Sequence, residues 1–586
     1  MVKSPLSTHT QMKQLLCVCI IALVLACATA EEAGHKYDVI VLGAGTAGCA
    51  IAARISENPD ISVLLIGEGE DQSGTLEPLA PERQVARYNA IPLINPSDSV
   101  GIPTDVVQFA EKMMSIEGPG VGRKSGIVVR PDNFDGASGV NGGAFVFPPD
   151  EEYTRLSSLG ITGWNVSDII PLRKKIETFK PWGGGPVPAG HGTSGPIETR
   201  TPTPEVFLSI FMDSIMNVTG STFNPDTGLG NINGTGYYVR PLGGNEASTV
   251  NGNYTRQGSC VRYLYPHRHR TNLRIETRAK VQNVGRKGSC RSNGKAACVN
   301  TVTYLQDGVT HTESIKKDGR IILSAGALES PKILMYSGIG DCAELAQFNI
   351  PCVYNSVNVG KKIYDHIMSV PLFFSTGAAS PDWPLHRGAI VSTYLTLNTT
   401  VDAINAQISY TSYPAASGAQ VILVTNTLTQ PRSYGKLTPR TPDYGSQINI
   451  TFGLMEDPSD MDAHVEMFLL VRKAAARLNL FEVIPSQFAL APGASFIPPT
   501  ASRAAIAAAQ VQYIKADYHT TGSAKMGLCS NGAVVDSKLE VCEVANLMVV
   551  DQSVWPFPYY GHTTHPGVLI IAERGAEFVL QYFASL

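Results

Sequence analysis

The stretch Tyr37-Asp-Val-Ile-Val-Leu-Gly-Ala-Gly-Thr-Ala-Gly-Cys49 carries a short apolar strand directly into Gly43-x-Gly45-x-x-Gly48, and Ala50 to Ser56 then read as a helix. In that strand-turn-helix setting the three glycines mark a nucleotide site. The first permits the tight turn, the second lets the backbone approach a pyrophosphate, and the third lets the helix pack closely on the strand. The helix N-terminus adds a favourable field for phosphate. Gly43, Gly45, Thr46, Ala47 and Gly48 are therefore candidate cofactor contacts. A second strand, Ser62 to Ile66, should end at an acidic residue that bonds a ribose. Gly67 follows it and Glu68 comes one place later, so Glu68 is the ribose candidate, with Glu70 as the substitute.

Further along, Ile321-Ile-Leu323 leads into Ser324-Ala-Gly-Ala-Leu-Glu-Ser-Pro-Lys-Ile-Leu-Met-Tyr-Ser-Gly-Ile-Gly340. This predicts a buried strand, then a helix capped by Ser330, begun by Pro331 and stopped by Gly338 and Gly340. Other motif-bearing segments are Arg130-Pro-Asp-Asn-Phe-Asp-Gly-Ala-Ser-Gly-Val-Asn-Gly-Gly143, Thr255 to Pro266 with Asn272 to Val281, and a turn with Gly360, Asp365 and His366. Near the C-terminus lie Tyr518-His-Thr-Thr-Gly-Ser-Ala-Lys-Met-Gly527, Asn546 to Pro556, and Gly561-His-Thr-Thr-His-Pro-Gly567 running on to Arg574.

In this order the segments resemble the glucose-methanol-choline (GMC) flavoprotein oxidoreductases. The resemblance implies an α/β plus α+β architecture. A Rossmann-like FAD-binding domain would be assembled from residues 31–154, 251–366 and 511–586, with an antiparallel-sheet substrate domain from 155–250 and 367–510. It implies FAD contacts at Ser138, Asn141, Gly142, Val281 and Asp551. It also implies noncovalent FAD, because Val140 stands where some relatives carry a flavin-linking His. Asp135 and Ala137 depart from the small or hydroxylated residues usual in their segment.

The resemblance makes His519 the general base and His562 its hydrogen-bonding partner. His565 is the alternative partner, because Gly561 to Glu573 is one residue longer than the usual spacing. An imidazole titrating near pH 6.5 suits acceptance of an alcohol proton while hydride passes to the flavin. The implied activity is oxidation of a small, plausibly aromatic alcohol or a mandelonitrile-like cyanohydrin, with oxygen as acceptor. A hydroxynitrile lyase without net redox, and a quinone-dependent dehydrogenase, are the alternatives. Tyr518 and Trp555 flank these motifs as candidate apolar walls, or as core residues.

Composition narrows the partners. The chain has 586 residues, 16% of them charged, and a net charge of -4, which argues against a nucleic-acid footprint or a polybasic membrane surface. Residues 1–30 read as a secretory leader, with Lys3 and Lys13 before an apolar run and a small-residue exit at Ala28-Thr-Ala30. Six Asn-x-Ser/Thr sequons, at Asn165, Asn217, Asn233, Asn253, Asn398 and Asn449, agree with secretion. Cys290 with Cys298, Cys342 with Cys352 and Cys529 with Cys542 form close sequential pairs suited to disulfides, whereas Cys49 and Cys260 read as small packing residues. No metal is expected, since nothing near His562 and His565 completes a ligand set. No Gly-x-Ser-x-Gly nucleophile elbow suggests a serine hydrolase.

Overall fold

The computed structural model describes residues 36–586 apart from 70–111, 118–126, 131–133, 140, 182–183, 203, 205, 231, 244–254, 376–390, 399–402, 415–419, 447, 484–496, 499 and 512–513. The leader, Glu70, Val140 and Asn253 lie outside the described residues.

The nucleotide half begins with β1 (Lys36–Leu42), α1 (Thr46–Ile55) and β2 (Val63–Ile66), as the opening motif dictates. Later segments complete its sheet: β3 (Leu273–Glu276), β4 (Ala279–Gly285), β5 (Thr301–Gln306) and β6 (Val309–Leu323). The strand order is β3-β2-β1-β6-β5-β4, with Leu547–Val549 also paired to β6. β3, β2, β1 and the end of β6 run parallel, and every residue from Val63 to Ile66 and from Val39 to Leu42 is buried. Near-continuous Val, Ile and Leu is what a parallel strand covered on both faces requires.

Helix α2 (Gly326–Tyr336) follows β6 and starts earlier than the Ser-Pro pair predicts. Pro331 therefore lies inside it, where it cannot donate to the carbonyl of Ala327. The hydroxyl of Ser523 supplies the missing donor, 2.6 Å from that oxygen. Ser330 does not cap; it donates to Asp551 at 2.5 Å and accepts from Ala325 N. The helix stops where expected, with Gly338 at φ +76°.

The second large sheet is antiparallel. Its core is β7 (Ile367–Ser375), β8 (Val391–Asn398), β9 (Ala403–Pro414) and β10 (Gln420–Leu428), ordered β7-β10-β9-β8. Gly234–Tyr237 extends it beyond β8, Phe481–Val483 pairs with β7, and helix α3 (Pro458–Arg477) packs against it. Strand β11 (Ile514–Ala516) also pairs with β7, with Ala516 opposite Ile367. That register is decisive for the site, because His366 immediately precedes β7 and Asp517 immediately follows β11.

Among the described residues four disulfides are present. Three join the sequential pairs predicted above; the fourth, Cys49–Cys260, corrects the reading of those two residues as unpaired packing groups. Helix α1 packs against the Cys260–Leu264 turn, which brings together cysteines 211 residues apart. Of the six sequon asparagines, Asn165, Asn217, Asn233 and Asn449 are exposed. Among the described residues no helix is long and apolar enough to cross a membrane.

Candidate active site

The nucleotide cradle is built from backbone. Gly43 adopts φ +109°, and a Cβ there would lie 2.5 Å from the Ser324 carbonyl oxygen. A Cβ on Gly48 would fall 1.7 Å from the Gly43 oxygen, so α1 can approach β1 only with glycine at both places. The N-terminus of α1 has no side-chain cap hydrogen bond. The Gly136–Gly139 turn folds over it, with Ser138 N donating to Thr46 Oγ1 at 3.2 Å.

Two departures in the cradle, Gly67 and Asp135, have structural reasons. Gly67 is required because a Cβ would sit 2.6 Å from Ala44 Cβ and 2.7 Å from a Phe134 ring carbon, so the acidic side chain moves on to Glu68. Glu68 Oε1 lies 3.9 Å from Lys280 Nζ. Asp135 is buried, accepts from Cys260 N at 2.7 Å and from Ser138 Oγ at 2.8 Å, and so ties the turn to the 256–260 segment. Burial raises its carboxyl to about 6, against the pull of those hydrogen bonds. Arg256 Nη1 fixes Asn141 through Oδ1 at 2.8 Å and the carbonyl at 2.9 Å. Val281 is buried in β4 opposite Tyr304, beside a bulge. The Asp551 carboxylate is taken up by the chain itself, through Ser330, Gly326 N and Ser553 N.

These residues fit FAD. An uncapped helix N-terminus meets a glycine-lined turn, a Cβ on Gly142 would meet nothing within 4 Å, and buried His565 Nε2 beside Asn141 has no protein partner among the described residues.

The second cluster is polar and comes from three segments. His366, Asp517, His519 and His562 gather so that one ligand-type atom from each lies within 4.8 Å of the others. Asp517 N donates to the His366 carbonyl at 3.0 Å, continuing the β7–β11 ladder. Beneath it the buried Asp365 carboxylate accepts from Asp517 N, His519 N and Thr520 Oγ1 at 3.1, 3.0 and 2.6 Å. Burial pushes the Asp365 carboxyl up to about 7. Tyr518 and His562 both adopt left-handed backbone, at φ +61°. Such strain in non-glycine residues is characteristic of functional sites.

Ring partners assign the tautomers. His366 Nε2 lies 2.7 Å from the Tyr559 carbonyl, which can only accept, so this nitrogen carries the proton. Its Nδ1 then accepts from His519 Nδ1–H at 3.0 Å, leaving His519 Nε2 unprotonated. The His519 side chain is 20% exposed, whereas His366 is fully buried. Burial lowers His519 to about 4 and holds His366 well below the usual histidine range. His562 Nε2–H donates to Asp517 Oδ2 at 2.5 Å, and Tyr238 OH approaches its Nδ1 at 3.0 Å. Gln407 in turn donates to that tyrosine oxygen. Burial disfavours the Asp517 charge, but the facing His562 and His519 rings outweigh it and hold the carboxyl near 2.

The fold thus brings His562 to His519, with ring centroids 4.9 Å apart. His565 instead opens the C-terminal helix, edge-on to Phe145 and 3.4 Å from Asn141. Trp555 is a core residue, fully buried, stacked on Tyr559 and bonded to Glu152. The four-residue cluster draws on segments too far apart for spacing to reveal. Asp517 and Tyr238 carry no motif signal of their own; position two before His519 was the only hint for Asp517.

GMC oxidoreductase family models match residues 37–368 and 431–570. The chain belongs to the GMC oxidoreductase family. It is similar to choline oxidase from Arthrobacter globiformis, 26% identical over 93% of this chain and 94% of that protein. Its fold matches pyridoxine 4-oxidase from Mesorbium loti (TM-score 0.75, 21% identity, 94% and 99% of the two chains). A fungal aryl-alcohol oxidase matches too (TM-score 0.73, 19% identity, 94% and 99%). As a GMC oxidoreductase the protein is an FAD enzyme acting on CH–OH donors.

Proposed function

We propose that this protein is a secreted FAD-dependent alcohol oxidase acting on a small aromatic alcohol or mandelonitrile-like cyanohydrin, with His519 as the base and oxygen as electron acceptor. One observation carries the reading: the chain Tyr559 C=O, His366, His519 presents an unprotonated Nε2 on a partly exposed ring. A hydroxyl proton passes to that nitrogen. The resulting imidazolium lies beside the Asp517 carboxylate, 3.6 Å from His519 Nδ1, which stabilises the new charge. His562, locked between Asp517 and Tyr238, keeps the carboxylate in place. When bound, FAD would supply the acceptor for the hydride leaving the alcohol carbon while the hydroxyl proton goes to His519, so the alcohol loses two electrons and two protons in all. Ser138, Asn141, Gly142 and the Gly43–Gly48 turn would hold it noncovalently, with Glu68 toward the ribose. The names of the choline and aryl-alcohol oxidases support oxygen as acceptor. The leader-like residues 1–30, four disulfides and four exposed sequon asparagines support secretion.

Anaerobic mixing with a panel of alcohols and cyanohydrins tests the reading through the flavin spectrum. Bleaching by an alcohol is expected, with peroxide formed on admission of air. Aldehyde and cyanide release without bleaching would instead identify a lyase, and bleaching without peroxide a dehydrogenase. His519→Ala should remain yellow and folded while turnover falls about 10²- to 10⁴-fold; unchanged turnover would remove His519 as the base.

A further inference from the structure

We propose that His366, Asp517, His519 and His562 also form a binding site for one divalent transition-metal ion of the zinc class, and that occupancy switches off the base. The switching half rests on the function proposed above; the binding half does not.

The donor set comes first. Three imidazoles and one carboxylate, without thiolates, suit Zn²⁺, Co²⁺ or Cu²⁺ better than Mg²⁺ or Ca²⁺. In a tetrahedral site with metal–ligand bonds of about 2.0–2.1 Å, neighbouring ligand atoms are roughly 3.3 Å apart. Three of the six separations are 3.0 Å for His366 Nδ1 to His519 Nδ1, 3.6 Å for His519 Nδ1 to Asp517 Oδ2, and 2.5 Å for His562 Nε2 to Asp517 Oδ2. They straddle that value, and one ligand-type atom from each residue lies within 4.8 Å of the others, so inward shifts of up to about 1.5 Å close the site.

The surrounding bonds point the same way. Metal-bound histidines characteristically direct their other ring nitrogen at a fixed acceptor. His366 Nε2–H already donates to the Tyr559 carbonyl, and His562 Nδ1 already faces the Tyr238 hydroxyl. The Asp365 carboxylate anchors the backbone of both Asp517 and His519. Two segments carrying three of the four ligands are thus pinned before any ion arrives.

Proton bookkeeping gives the consequence. The ion takes the lone pair of His366 Nδ1 directly. At His519 and His562 the ring proton on the ligating nitrogen moves to the opposite nitrogen, to Nε2 and Nδ1 respectively. His519 Nε2, the proposed base, becomes an N–H and can no longer accept a hydroxyl proton. With four protein ligands the ion has no open position for the alcohol, so occupancy inhibits.

The test uses flavin-loaded protein freed of metal with a chelator and desalted. Co²⁺ titration should saturate at one ion per chain with the intense visible absorption of four-coordinate cobalt, read against a Zn²⁺-loaded blank. Zn²⁺ should displace it and stop alcohol-driven flavin reduction, and chelator should restore it. Asp517→Asn and His366→Ala, each checked for retained flavin, should weaken Co²⁺ affinity by more than about 100-fold. Weak six-coordinate absorption, or unchanged affinity in Asp517→Asn, overturns the site. Tight binding with undiminished flavin reduction overturns the switch. If no alcohol reduces the flavin, the activity assignment fails while the cobalt spectrum still decides the site.

Discussion

Asp517 is the side chain on which the polar cluster turns, since it meets His562 at 2.5 Å and His519 at 3.6 Å. Its charge favours protonation of His519, while burial opposes it. Asp517→Asn keeps the shape and removes the charge, so His519 should take up a proton less readily. The expected result is a fall in kcat/KM of about 10- to 100-fold, equivalent to one or two pK units of lost stabilisation, with flavin retained. The acid limb of the kcat/KM profile should also move below its position near pH 4. An unmoved limb would show that Asp517 does not act through His519. His519 was legible because it stands in a motif-rich run, Tyr518 to Gly527. Asp517 was not, because its value depends on His562, 45 positions on, and on a strand register that no local pattern encodes.

Among the elements, the strand-turn-helix units were the most legible, because a buried parallel strand followed by glycines leaves few conformations. What remained hidden was set by neighbours distant in sequence. The start of α2 was misplaced because Ser523, almost two hundred residues later, satisfies the carbonyl that Pro331 leaves open. Cys49–Cys260 was missed for the same reason, whereas the three pairs separated by 8, 10 and 13 residues were visible. Gly67 shows how such a neighbour can be tested. Gly67→Ala should press the new methyl on Ala44 and Phe134, costing about 1–3 kcal/mol and speeding flavin release. Gly67→Ala with Phe134→Leu should recover part of that loss, measured as flavin fluorescence released on heating. Equal behaviour of the single and double variants would mean that Phe134 does not impose the glycine.

For the whole molecule, buried titratable groups predict a stability maximum between about pH 6 and 6.5. His366, His464, His519 and His565 have folded pKa values depressed by burial, the last three to about 3, 4 and 3. Their unfolded forms bind protons below pH 6.5, so stability is lost as pH falls through that value. Glu152, Asp365 and Asp135 are raised by burial to about 8, 7 and 6. They are protonated in the fold and ionise on unfolding, so they lose stability as pH rises from about 4 to those values. His191 belongs with this second set: burial opposes its charge, but Asp226 and Glu177 outweigh it and raise it to about 9. Its contribution is present below pH 6.5 and lost toward pH 9. At pH 5 the four depressed rings outnumber the three raised carboxyls, so acidification destabilises. Above pH 6.5 the rings no longer contribute, while Glu152, Asp365 and His191 still do, so stability falls again. Unfolding temperatures followed by circular dichroism from pH 4 to pH 9 should therefore trace a dome, and a steady rise to pH 9 would show that Glu152 and His191 do not hold their protons in the fold.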